Sequence, residues 1–329
     1  MKKNVLCFII TTIIVIIIIF PIAAFINNLR LNKNTNKIKV AEVTHSIFYT
    51  PFYVAIECGY FKDEGIDIEL ILTSGSDNVA ASVLSNDTHI GLAGPESAIF
   101  VYLGGERDYL QVFSGLTKRD GQFIVSRNKK FKWEDLTNKE ILTGRNNGMP
   151  YLSFIKALEN ENINKKDLNI NTSVEFAELA GSFIGGNGDY VNLFEPLATK
   201  LEKEGKGFVV SSVGLYSDEI PYTAFYARKS YIKENKEMIK KFIRAIERGM
   251  KYTKYNKSDI IAHKIRNQFP DTDTPLLSEM IERYKNADVW LDNSKIFESS
   301  FNKLTKILYD NKLINNDVYY SDLVISIND

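Results

Sequence analysis

From residue 38 onward the spacing of apolar positions changes period again and again. Ile38-Lys39-Val40-Ala41-Glu42-Val43 has the pattern of a strand. The next stretch, FYVAIECGYFKDEGIDIEL at residues 52–70, opens as a helix and closes as a second strand. A Gly/Ser turn, Thr73-Ser74-Gly75-Ser76-Asp77, leads into an apolar helix at residues 79–84, and a short strand follows around Ile90. A period that alternates between two and about 3.6 predicts strands interleaved with helices. Such a chain builds a parallel sheet whose strand ends face a crevice, where α/β proteins hold small molecules.

The pattern occurs twice. Thr88-His89-Ile90-Gly91-Leu92-Ala93-Gly94-Pro95 has a counterpart in Asp189-Tyr190-Val191-Asn192-Leu193-Phe194-Glu195-Pro196, with the Leu and Pro positions in step. An apolar helix precedes each copy, at residues 79–84 and 176–184. Further upstream, Tyr49-Thr50-Pro51-Phe52 answers Gly148-Met149-Pro150-Tyr151, each with a proline suited to a first helical turn. Two similar α/β lobes joined by two crossing segments are expected. Residues 38–117 with 223–329 would form the first lobe and residues 118–222 the second. The crossings are expected at residues 115–121 and 219–223.

Beyond Tyr222 the pattern is helical. Ile239, Phe242, Ile243, Ile246 and Met250 share one helix face, and further helices are expected at residues 274–285 and 294–310. These read as amphipathic cover for the first lobe, with no site among them. The glycines of residues 181–188 follow a helix instead of a strand, which fits a helix end and tight turn and not a dinucleotide loop.

The amino end differs from everything after it. Lys2 and Lys3 precede residues 5–26, which carry no charge, and about twenty apolar residues span a bilayer. An uncleaved signal anchor is expected, followed by a polar tether at residues 27–37. A cleaved secretory signal is the alternative. Either way the body is exported. Forty-one basic residues balance 41 acidic ones, which argues against nucleic acid as a partner. Two cysteines, Cys7 within the apolar segment and Cys58, predict no internal disulfide.

The stretch Phe52-Tyr53-Val54-Ala55-Ile56-Glu57 with Gly59-Tyr60-Phe61 resembles the extracytoplasmic solute-binding proteins of ABC importers, in the SsuA/THI5-like (NMT1/THI5-like) family. The likeness runs from about residue 38 to about residue 255. It implies a type II periplasmic-binding-protein fold: two α/β lobes, two crossing segments and C-terminal helices. It also implies a monomer that closes on a small organic solute and passes it to a permease driven by a separate ATPase subunit. The chain itself lacks a Gly-x-x-x-x-Gly-Lys-Ser/Thr phosphate loop. Sulfonates, taurine-like zwitterions and thiamine-precursor aminopyrimidines are the solute classes in view.

Loops at strand ends supply the candidate contacts. Phe48 and Tyr49 offer an aromatic wall, and Ser76 opens a helix whose unpaired N–H groups suit an anion. Glu96 could accept hydrogen bonds from an amine. In the second lobe Arg145, Asn147, Gly148 and Met149 belong to a turn of the kind that holds an anion, and Arg145 adds a planar charged fork. Glu195, at a strand end before Pro196, is the leading candidate to face an amine, with Tyr222 as further aromatic surface. Tyr190 falls within a strand and belongs to the core.

No catalytic constellation emerges. His45, His89 and His263 are scattered without metal-ligand spacing, and no cofactor motif appears. THI5-type pyrimidine-synthesis enzymes share the resemblance. They carry a histidine where Tyr49 stands and a cysteine cluster that two cysteines cannot supply. A sensor domain that reuses the clamshell is a third reading.

Overall fold

The computed structural model describes residues 36–327, Asn147 excepted. The apolar segment at residues 5–26 and its expected role as an anchor lie outside the described residues. Among the described residues no helix is long and apolar enough to cross a membrane.

Ten strands form two five-stranded sheets among the described residues. The first contains β1 (Asn36–Glu42), β2 (Ile66–Leu72), β3 (Ile90–Ala93), β4 (Leu110–Thr117) and β10 (Thr223–Arg228). The second contains β5 (Phe123–Ser126), β6 (Glu140–Leu142), β7 (Asn169–Asn171), β8 (Tyr190–Leu193) and β9 (Phe208–Ser212). Their orders are β2-β1-β3-β10-β4 and β7-β6-β8-β5-β9. In the first sheet β10 runs antiparallel to both of its neighbours, and in the second β5 does the same, while the other pairs are parallel. The two sheets are therefore the same design. The sequence repeat is real, because β3 and β8 occupy equivalent places and are followed by helices Glu96–Leu103 and Leu197–Lys203.

The first odd strand of one sheet is reached by leaving the other. The chain passes from β4 to β5 through residues 118–122 and returns to β10 through residues 217–222. These crossings run side by side: the Ile220 N–H donates to the Lys118 carbonyl at 3.0 Å and the Tyr222 N–H to the Thr117 carbonyl at 3.1 Å. The architecture is two α/β lobes on a paired crossing.

The helix expected from Lys236 spans Lys236–Tyr255 and turns its apolar stripe, including Ile239, Phe242 and Ile246, into the first lobe. It crosses helix Thr50–Glu57 so closely that a Cβ on Gly249 would run into the Pro51 carbonyl. Glycine is needed there for the approach of two backbones, not for a special φ.

One expectation is corrected. Helix Thr274–Asn286 is more than cover for the first lobe: Arg283 and Tyr284 reach the second sheet's β8 end, as detailed below. Its apolar face, with Leu277, Met280 and Ile281, is buried in the usual way, but its last turn bridges the lobes. Heptad-like spacing reports which face is apolar and says nothing about what a polar residue at the boundary will reach.

Because a Cβ at 249 must displace backbone, Gly249→Ala is expected to cost about 1–3 kcal/mol of stability. Urea unfolding of the variant beside wild type measures it, and an unchanged midpoint would contradict this packing.

Candidate functional site

The carboxyl ends of β1, β3, β6 and β8 and the two crossings converge between the lobes. Phe48, in the short helical turn Ile47–Tyr49 after β1, is buried there. Its ring centre is 5.6 Å from Phe194, 5.7 Å from Tyr222 and 5.4 Å from Tyr284, so one aromatic side chain touches β8's end, a crossing and the C-terminal helices. The Trp290 indole N–H fixes the Phe48 carbonyl at 2.8 Å. Gly121 makes room for this ring, since a Cβ on it would strike Phe48 and press on Phe194.

Glu195, the leading candidate from sequence, is buried at the end of β8, and its peptide bond to Pro196 is cis. Both carboxylate oxygens have partners within the protein. The Thr199 N–H donates at 2.9 Å, the Thr199 hydroxyl at 2.7 Å and Arg283 Nη1 at 3.1 Å. Arg283 in turn donates to Glu202 at 2.6 Å. The Glu195 N–H reaches the Tyr284 hydroxyl at 3.1 Å, and Ser46 Oγ reaches the Glu195 carbonyl at 3.3 Å. Burial raises the Glu195 pKa, against the pull of Thr199 and Arg283. The residue ties the two lobes together.

Glu96 and Asp120 differ sharply from it. Glu96 opens helix Glu96–Leu103 after β3, with its carboxylate folded over Gly94, and its Oε2 has no hydrogen-bond partner. Asp120 lies in the first crossing, where the Gln122 N–H donates to Oδ1 at 2.5 Å while Oδ2 has none. Burial pushes the Glu96 carboxyl up to about 7, opposed by its own backbone N–H and the Ser76 hydroxyl. Burial likewise pushes Asp120 up to about 7, opposed by the Gln122 N–H and the neighbouring hydroxyls of Tyr222 and Ser153. Burial raises the Tyr222 phenol well above its usual value, and Asp120, Glu96 and Tyr49 add to this. Glu96, Tyr49, Tyr222 and Asp120 therefore form one buried neighbourhood between the lobes.

More polar groups without partners lie behind Asp120. Both amide atoms of Gln122 and of Asn192 are buried and make no hydrogen bond, and Ser153 Oγ, close to the Asp120 carboxyl, is buried without a partner in good geometry. Asn192 pairs in register with Ile124, and the two side chains share the sheet face that holds Tyr190, beneath Phe154 and Leu158 of helix Met149–Asn160. Ser153 belongs to the same helix. Each buried polar atom without a partner costs about 1–3 kcal/mol.

The other candidates are placed as follows. Tyr49 is buried, with Thr223 near its hydroxyl, and Ser76 is half-buried at its helix start beside Glu96. Gly148 caps helix Met149–Asn160 and Met149 is buried behind it, while Arg145 is exposed. Asn147 lies outside the described residues. His45 has both ring nitrogens engaged, Nδ1 with Glu42 at 2.8 Å and Nε2 with the Gln268 carbonyl at 2.8 Å. Asp120, Gln122, Ser153, Asn192 and Arg283 were not selected from sequence. The one available signal was a polar residue inside an apolar strand, Asn192 between Val191 and Leu193.

Residues 47–258 match the family model described as NMT1/THI5 like. The chain belongs to that family. It is 36% identical over 312 residues to the "Putative binding protein YtlA" of Bacillus subtilis (strain 168), which covers 94% of this chain and 92% of that protein. The fold matches the periplasmic aliphatic sulphonate binding protein SsuA of Escherichia coli at a TM-score of 0.69 and 12% identity, over 87% of this chain and 96% of that one. It also matches the alkanesulfonate-binding SsuA of Xanthomonas axonopodis pv. citri bound to MOPS, at a TM-score of 0.68 and 10% identity, over 88% and 98% of the two chains. A ligand-binding component of an ABC-type import system from Staphylococcus aureus matches at 0.69 and 13% identity, over 88% and 96%. At such identities the structural matches establish the fold. The family member described here therefore has the periplasmic solute-binding fold of ABC import systems.

Two predictions follow from the contrast between the acids. Removing Arg283 leaves Glu195 as an uncompensated buried charge, so Arg283→Met should cost on the order of 3 kcal/mol in chemical denaturation, and a neutral result would refute the tie. For Glu96 the folded value lies above the ordinary 4.5, so between 4.5 and about 7 the folded chain binds more protons than the unfolded one. Stability should therefore fall as pH rises through that window. The difference between wild type and Glu96→Gln should change there by up to about 1.4 kcal/mol per pH unit; a flat difference would exclude a buried, poorly solvated Glu96.

Proposed function

We propose that this protein is the extracytoplasmic solute-binding component of an ABC importer. It captures a small organic solute between its lobes and presents the closed form to a permease coupled to a separate ATPase subunit. The observation that carries the reading is the convergence of both lobes' strand ends on one set of buried polar groups and aromatic rings. The 36% identical relative named as a binding protein supports it, as does the likeness to structures of sulfonate-binding proteins. In this reading the apolar segment at residues 5–26 holds the body outside the membrane, and the folded chain acts as a monomer.

Closure is a hinge motion about the paired crossings. Tyr49, Tyr222 and Phe48 form the apolar wall of the site, Glu96 supplies polar contact from the first lobe, and Ser76 stands beside it. Gly148 and Met149 border the site from the second lobe. The solute is a sulfonate, a taurine-like zwitterion or an aminopyrimidine. A binding role asks no nucleophile or cysteine cluster of the chain, unlike the pyrimidine-synthesis alternative.

Thermal denaturation of the full-length chain with an alkanesulfonate, taurine and an aminopyrimidine tests the proposal. A solute at about a hundred times its Kd adds about 2.7 kcal/mol of stability, a shift of several degrees. A chain that none of the three stabilises is not this receptor, and turnover of any of them would favour the enzyme instead.

A further inference from the structure

We infer that Glu96 and Asp120 act as a specificity pair that admits a solute with an N–H-donating amino group and turns away a plain organic anion. The inference rests on the solute-binding reading above and deepens it.

Glu96 Oε2 and Asp120 Oδ2, one from the first lobe and one from a crossing, are buried oxygens that meet no donor in good hydrogen-bond geometry, although the Ser76 hydroxyl is close to the first carboxyl and the Tyr222 and Ser153 hydroxyls to the second. The amides of Gln122 and Asn192 are equally unpartnered, and each offers both a donor and an acceptor. An amino group with N–H bonds to give, attached to a group that can also accept, meets this set. A sulfonate brings acceptors only and would face two carboxyl groups.

The charged ends of the nearby cations are engaged elsewhere, although Arg119 Nε is buried without a partner. Arg119 Nη2 donates to Glu219 at 2.6 Å and stands 3.8 Å from Asp288, and Lys118 pairs with Asp288 at 2.9 Å. Arg283 is taken up by Glu195 and Glu202, and Arg145 is exposed. An anion could draw on the Gln122 and Asn192 amide donors, but it would meet the two acids, which work against it. With carboxyl values near 7, an N–H donor also favours the ionised forms, and charge-assisted bonds are the stronger ones.

Asp120 has a second consequence. It sits on one crossing and beside Tyr222 on the other, so a solute bound to it holds the hinge itself. Gly214 makes that placement possible, since a Cβ there would collide with the Asp120 carbonyl.

The test is calorimetric titration of the full-length chain with three probes: ethanesulfonate, taurine and 4-aminopyrimidine. The amino-bearing probes should bind and ethanesulfonate should not. Glu96→Gln and Asp120→Asn should each weaken the amino-bearing probe about tenfold or more. Should one variant fail to fold, the other carries the same test from the opposite side of the opening. Tight binding of ethanesulfonate, unaffected by either substitution, overturns the pair while leaving the receptor reading intact. Amino-probe binding that neither substitution weakens also overturns it. A chain that binds none of the three overturns both.

Discussion

Two short chain segments lying side by side set the geometry of this protein. Residues 118–122 and 217–222 are the covalent links between the sheets, and the hydrogen bonds from Ile220 and Tyr222 to Lys118 and Thr117 make them a paired ribbon. Because they pair, Asp120 on one and Tyr222 on the other are neighbours. Because each ends in the odd antiparallel strand of a sheet, the parallel strands of both lobes point their carboxyl ends toward the ribbon. Small residues are required where the ribbon is crowded, which accounts for Gly121 beneath Phe48 and Gly214 against Asp120.

Around this ribbon the protein treats its buried acids in two ways. Glu195 is given a threonine hydroxyl, an arginine and one backbone N–H, so its burial is compensated and it can fasten the lobes. Glu96 and Asp120 are each left with one oxygen that meets no donor in good geometry, and Gln122, two residues from Asp120, has both amide atoms without partners. A buried group with all its partners contributes to a fixed structure, whereas one without them costs free energy until something supplies the bond. Aromatic rings from the first lobe, the second lobe and the crossing meet at Phe48, which surrounds the polar groups with a low-dielectric wall and strengthens any bond made there.

The C-terminal helices show how a polar residue on an otherwise ordinary amphipathic helix gains a role through position. Leu277, Met280 and Ile281 bury one face of Thr274–Asn286, as their spacing foretells. Arg283 and Tyr284 sit in the last turn of that helix, and they meet the second lobe because residues 287–290 run back along the first crossing, with the Lys118 N–H bonded to the Val289 carbonyl. Nothing in the helix period distinguishes an arginine facing water from one facing Glu195.

The order of strands and helices, the duplication and the family were legible in the chain, because apolar period and turn residues are local and the repeat preserves them in register. The β3 and β8 segments, the proline-led helices and the long Lys236–Tyr255 helix all stand where the pattern puts them. Which acid is spent on holding the lobes and which is left open could not be read there. Glu195 and Glu96 both sit at strand ends beside a proline, and in sequence they look alike. They part company because Thr199 and Arg283, the latter delivered by helix Thr274–Asn286 some eighty residues downstream, supply donors to Glu195, whereas no cation reaches Glu96. Hydrogen-bond partners between residues far apart in sequence are settled by packing, and packing is a property of the folded chain alone.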